Sequence, residues 1–153
     1  MMKNEVLWGY LKRYTIVHVL VYLIVGLISM SLMNYKEGFM SDDYFAHFRP
    51  LDSPIVRAAL LFQVVRGLMI ALIIYPFRDK IVGSKHGWLM LFFVLFGLTC
   101  IGAINAPPGS IEGFIYTNVS LKAHLIGMPE IIVQSIGISA LFYWWEKRNY
   151  SHK

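Results

Sequence analysis

Residues 15–33 and 87–106 contain no Asp, Glu, Lys or Arg. Residues 55–77 and 123–145 are as long and nearly as apolar, but the first carries Arg57, Gln63 and Arg66 and the second Glu130 and Gln134. A membrane-crossing helix needs roughly 20 mostly apolar residues. Four such stretches within 153 residues leave room for little else. The chain is 57% hydrophobic and 15% charged, whereas an average soluble domain is roughly 25% charged. A soluble core of this size could not hide so much apolar surface. Disorder, a collagen-like fibre and a coiled coil are excluded by the same figures. The single cysteine, Cys100, excludes an intrachain disulfide and reads as a small core hydrophobe. The expected fold is therefore an all-α membrane protein, a four-helix transmembrane bundle forming one domain over residues 1–153. Its spans fall at about 15–33, 55–77, 87–106 and 123–145.

Charge fixes the expected orientation. Lys3, Lys12, Arg13, Arg78, Lys80, Lys85, Lys147, Arg148 and Lys153 flank one side of the spans, and Lys36, Arg49 and Lys122 the other. The positive-inside rule places both termini in the cytoplasm, in a bacterial-type plasma membrane. Lys12-Arg13 before the first span resembles the positive region of a signal peptide. The apolar stretch is too long for one and lacks a cleavage site, so it reads as a retained signal anchor. Trp8, Tyr14, Trp88 and Tyr143-Trp144-Trp145 read as interface anchors. The net charge of +5 is assigned to lipid headgroups, the expected partners. Nucleic acid is not expected, because no basic stripe or module signature is present.

The loops are expected to be ordered. Residues 35–54 hold Phe39, Met40, Tyr44, Phe45 and Phe48, an aromatic outer cover in which Asp52 is placed to cap the second span. Residues 78–86 read as a short cytoplasmic loop. The third loop, 107–122, opens on Pro107-Pro108-Gly109 and turns apolar again at 111–116, a candidate re-entrant segment. Asn118-Val119-Ser120 fits a glycosylation sequon, a triplet that also arises often by chance.

Chemistry is sought where polar groups enter the membrane at a cost, about 2.5–3.5 kcal/mol for a central Arg or Asp. At about 1.5 Å per residue, Gln63 and Arg66 lie at similar depth to Glu130 and Gln134. Gln63 and Arg66 are spaced i,i+3, and Glu130 and Gln134 i,i+4, so each pair shares a helix face. An inward network of Gln63, Arg66, Glu130 and Gln134 is expected, with Arg66 compensated chiefly by Glu130. The bland alternative is that it only holds the second and fourth spans together. The functional one is a ligand site or an ion pathway, since Arg66 suits an anion and Glu130 suits proton coupling. Pro129 leaves two geometries open: a kink within a helix already begun, or the first turn with Glu130 as its acid. A second group, Arg49, Asp52, Arg57, Asn105, Glu112, Tyr116 and His124, gathers at the outer mouth, where Arg57 or Arg66 would partner Glu112.

No metalloprotease helix, nucleophile elbow or phosphate loop is present. Neither a metal site nor a cofactor is expected. His18 is of a type that can ligate haem or bind a quinone, but without an evident partner at its depth it reads as a packed histidine. Three functions follow. The first is a small transport or channel-type protein for an ion or solute, which would need a homo-oligomer to form a path. The second is a membrane-embedded enzyme acting on a lipid or quinone-like substrate, with Glu112, Glu130 or His124 as acid or base. The third is an accessory or assembly subunit of a membrane complex.

Overall fold

Ser53 adopts an extended conformation (φ −62°, ψ 144°) and Pro54 follows it at the first helical position, where a missing N–H costs nothing. This starts the second apolar segment. The structure is a computed structural model that describes residues 2–32, 53–101, 109–116, 118 and 120–150. Every regular element among the described residues is helical. α1 covers Met2–Leu32, α2 Pro54–Arg57, α3 Ala59–Ile74 and α4 Arg78–Gly83. α5 covers Gly87–Cys100, α6 Ile111–Tyr116, α7 Leu121–Ile126 and α8 Met128–Tyr150.

Among the described residues, three helical runs are long and apolar enough to cross a membrane: Asn4–Leu32, Ala59–Gly83 and His124–Tyr150. The third apolar stretch is helical over Gly87–Cys100, 14 residues. At about 1.5 Å per residue it covers roughly 21 Å, short of a hydrocarbon core of roughly 30 Å. Its expected continuation at 102–106 lies outside the described residues, as does the expected aromatic cover between residues 35 and 52.

Two boundaries differ from expectation, each because of a proline. Pro76 lacks a donor and tightens the chain into a 3₁₀ turn over Tyr75–Phe77. Arg78 then returns to helical dihedrals (φ −49°, ψ −51°), so the expected 78–86 loop is helical through Gly83. Pro129 sits in the first turn of α8 with Glu130 as its acid, the second of the two open geometries. α7 ends immediately before it, at Ile126.

α1 packs on α3 and on α8, α5 packs on α8, and α4 bridges α5 and α8. The α1–α3 contact is close: a Cβ on Gly67 would lie 3.3 Å from the Thr15 Cα and 3.2 Å from His18 Cδ2. Small residues allow such backbone approach where lipid supplies no hydrophobic drive between helices. Tyr10 and Tyr14 each meet the Phe142 ring edge-on with centroids 5.0 Å apart, and Tyr10 meets Tyr75 at 5.2 Å. Leu61, Ile73, Phe93 and Leu98 remain exposed, which suits contact with lipid tails.

Candidate functional site

The four main helices, α1, α3, α5 and α8, converge on one cavity of about 180 Å³. α1 contributes Tyr14 and His18, α3 Arg66 and Ile70, α5 Leu95 and Thr99, and α8 Gln134, Ser135 and two isoleucines. The helical repeat explains the arrangement. Tyr10, Tyr14 and His18 recur every four residues on α1, and Ser135, Ser139, Phe142 and Glu146 recur at four, three and four on α8, so each set occupies one face.

Polar groups dominate the chemistry of this cavity. His18 Nε2 lies 3.2 Å from Gln63 Oε1, and the imidazole stacks on Tyr14 with centroids 6.0 Å apart. The Tyr14 hydroxyl and His18 Nδ1 are buried without a hydrogen-bond partner among the described residues. Among the described residues, neither Asp nor Glu lines the cavity. Arg66, within the Ala59–Gly83 run, is exposed on the single chain at the edge of this space. The ion pairs among the described residues involve Arg13 and Arg78, not Arg66.

The expected Arg66–Glu130 ion pair is therefore absent. Glu130 accepts a hydrogen bond from Gln134 Nε2 at 2.9 Å and faces Gly26 of α1, whose Cβ would lie 3.9 Å from Oε1. Arg66 adjoins Gly67, which packs on Thr15 and His18. His18 and Gly26 are eight residues apart on α1, about 12 Å along its axis. The start of α8 at Met128 thus leaves Glu130 further toward the outer end than the assumed depth match requires. Glu130 lines a separate, mostly apolar cavity of about 170 Å³ with Val25, Ile28, Ser29 and Val133. Of the four inward candidates, Arg66 and Gln134 share the main cavity, Gln63 reaches its histidine, and Glu130 stands beside it.

The outer-mouth group is less converged. Arg49, Asp52 and Asn105 lie outside the described residues. Arg57 and Tyr116 are exposed, and Glu112 is half-buried in the first turn of α6 with no ion pair to Arg57 or Arg66. His124 is buried; its Nδ1 accepts a hydrogen bond from the Gly109 N–H at 3.0 Å, and Phe114 meets its ring edge-on. Gly109 has φ +85°, a conformation that suits glycine. These contacts dock the 109–116 segment onto the start of the last span.

A third cluster, at the opposite end, was not expected from the sequence. Glu146 is fully buried and held between two arginines. Arg13 Nε donates to Oε2 at 2.6 Å, and Arg78 donates to Oε1 from Nε at 2.8 Å, with Nη2 2.7 Å from the same oxygen. The triad ties α1, α4 and α8 together. Beside it, Tyr143 Oη donates to the Ser84 carbonyl at 2.7 Å and accepts from Lys147 Nζ at 2.6 Å. The available signal was a lone acid among the basic residues that close the last span, opposite Lys12-Arg13 and Arg78.

No group of three His, Cys, Asp or Glu among the described residues could hold a metal ion. No family model matches the chain, and neither a curated protein nor a solved structure matches it.

Proposed function

We propose that this chain is a four-helix transmembrane bundle that carries a small anion across the membrane through the Arg66 cavity. The observation that carries the reading is an arginine in a membrane-spanning run, beside uncharged donors and acceptors and without an acidic partner among the described residues. Charges at membrane depth face protein, water or ligand because lipid solvates them poorly. Guanidinium offers a fork of N–H donors that matches carboxylate, phosphate and simpler anions. Gln134, Ser135 and Thr99 add neutral hydrogen-bonding groups around it.

The exposure of Arg66 on the single chain supports a homo-oligomer, in which a second copy covers the charge from lipid. Surrounding lipids would be the remaining partners. Both termini face the cytoplasm in this scheme. The Arg13–Glu146–Arg78 cluster gathers the basic ends of three segments at one end of the molecule, which agrees with the Lys/Arg bias. A cysteine at Lys80 is then expected to resist a membrane-impermeant reagent, and one at Asn118 to react with it. The reverse pattern would invert the scheme.

The functional test is anion uptake by the purified protein in lipid vesicles. Arg66→Met removes charge-assisted hydrogen bonds worth about 1.5–3 kcal/mol, so anion affinity is expected to fall roughly tenfold or more. Equal uptake by wild type and Arg66→Met would remove the cavity from the pathway. Turnover of a lipid or quinone-like substrate would favour the enzyme reading, and a stoichiometric co-purifying membrane partner the accessory-subunit reading.

A further inference from the structure

Resting on the anion reading of the Arg66 cavity, we infer that the anion travels with a proton carried on Nδ1 of His18. His18 is 4% exposed, and its Nε2 is within hydrogen-bond distance of Gln63 Oε1. An amide oxygen only accepts, so Nε2 carries the ring hydrogen and Nδ1 keeps its lone pair. That nitrogen is buried and has no hydrogen-bond partner among the described residues. A basic nitrogen in this position is a proton acceptor beside an anion site.

The charged and titratable groups around His18 are few. Arg66 faces the shared cavity from α3, and Tyr14 stacks on the imidazole from α1 itself. α8 offers uncharged Gln134 and Ser135, α5 offers Thr99, and no carboxylate among the described residues lines this space. Arg66 places one fixed positive charge in the cavity. A second positive charge on His18 repels it, and an anion between the two offsets that repulsion. Anion and proton therefore load together, each raising the affinity for the other by the same factor.

Three further buried hydroxyls lie on the helix faces that run from His18 toward Glu146. The hydroxyls of Tyr14, Tyr10 and Ser139 are buried without partners among the described residues. In one cycle, Nδ1 of His18 gains a proton from one side as the anion binds and releases it to the other side as the anion leaves. Only an N–H bond forms and breaks, and no electron is transferred.

The test uses the full chain in phosphatidylethanolamine–phosphatidylglycerol vesicles containing a pH-sensitive dye, with membrane potential clamped. Inward gradients of chloride, nitrate or inorganic phosphate serve as probes. Anion uptake by the wild type is expected to acidify the lumen with about one proton per anion, because one ring nitrogen is free. In His18→Gln the proton-to-anion ratio is expected to fall at least about tenfold, whatever happens to the rate. Wild-type uptake without acidification would overturn the coupling and leave the anion reading standing. An unchanged ratio in folded His18→Gln would overturn the assignment to His18. Should that variant not fold, the wild-type ratio still decides the coupling. Uptake of none of the probes would overturn the anion reading, and the coupling with it.

Discussion

Glu146→Gln is expected to destabilise the protein by about 3–5 kcal/mol, the range for removing one partner of a buried ion pair. The carboxylate is fully buried and both its oxygens are engaged, one by Arg13 and the other by Arg78. Those arginines are themselves largely buried, with 17% and 11% of their side chains exposed. An amide in place of the carboxylate leaves two cations facing each other, with only the exposed Asp79 carboxylate, 3.5 Å from Arg78 Nη1, as a counter-charge. Removing either arginine alone is expected to cost less, because the remaining pair is neutral. Arg13→Met, Arg78→Met and Glu146→Leu together are expected to recover much of the loss, since apolar replacements of a buried triad restore packing without desolvated charge. Thermal unfolding of the purified variants in detergent, followed by near-ultraviolet circular dichroism, ranks them. A Glu146→Gln protein that melts with the wild type would show that the triad contributes nothing to stability.

Gly87→Ala is the second large effect. Gly87 begins α5 directly against α4. A Cβ there would overlap the Ile81 carbonyl oxygen and lie 2.7 Å from its carbon and 2.8 Å from Tyr143 Cε2. Two of these obstacles are backbone atoms that cannot rotate away. α5 must therefore shift off α4 and α8, disturbing the Tyr143–Ser84 hydrogen bond. Overpacking usually costs about 1–3 kcal/mol, and an immovable backbone puts this substitution at or above the upper end. Gly97 provides the control: a Cβ there meets nothing within 4 Å. It lies inside α5, so Gly97→Ala is expected to be neutral or to gain up to about 1 kcal/mol from helix propensity. Similar melting of both alanine variants would contradict the packing argument.

The apolar segments and the all-helical character were legible because hydropathy and length act locally. Of the polar residues singled out by spacing, Arg66 and Gln134 line one cavity and Gln63 reaches His18. The partner assigned to Arg66 was not legible, because depth counting assumed where each helix begins. α8 begins at Met128, and the position of Glu130 against Gly26 depends on how α1 lies beside it. Glu146 was passed over for a related reason. It follows Tyr143-Trp144-Trp145, a natural end for a span, and its partners were counted as flanking charges. Only the meeting of α1, α4 and α8 turns those three residues into one buried cluster. His18 likewise lacked a visible partner because Gln63 is 45 residues away.

Arg66 is expected to hold an anion inside the membrane-spanning region. Crystals of the protein grown with bromide, measured at the bromine absorption edge, test it most directly. An anomalous peak is expected in contact with the Arg66 guanidinium, within the space bounded by His18, Gln134 and Ser135, and is expected to be lost in Arg66→Met. Bromide bound only at the surface, or a carboxylate filling the Arg66 site in place of an anion, would contradict it.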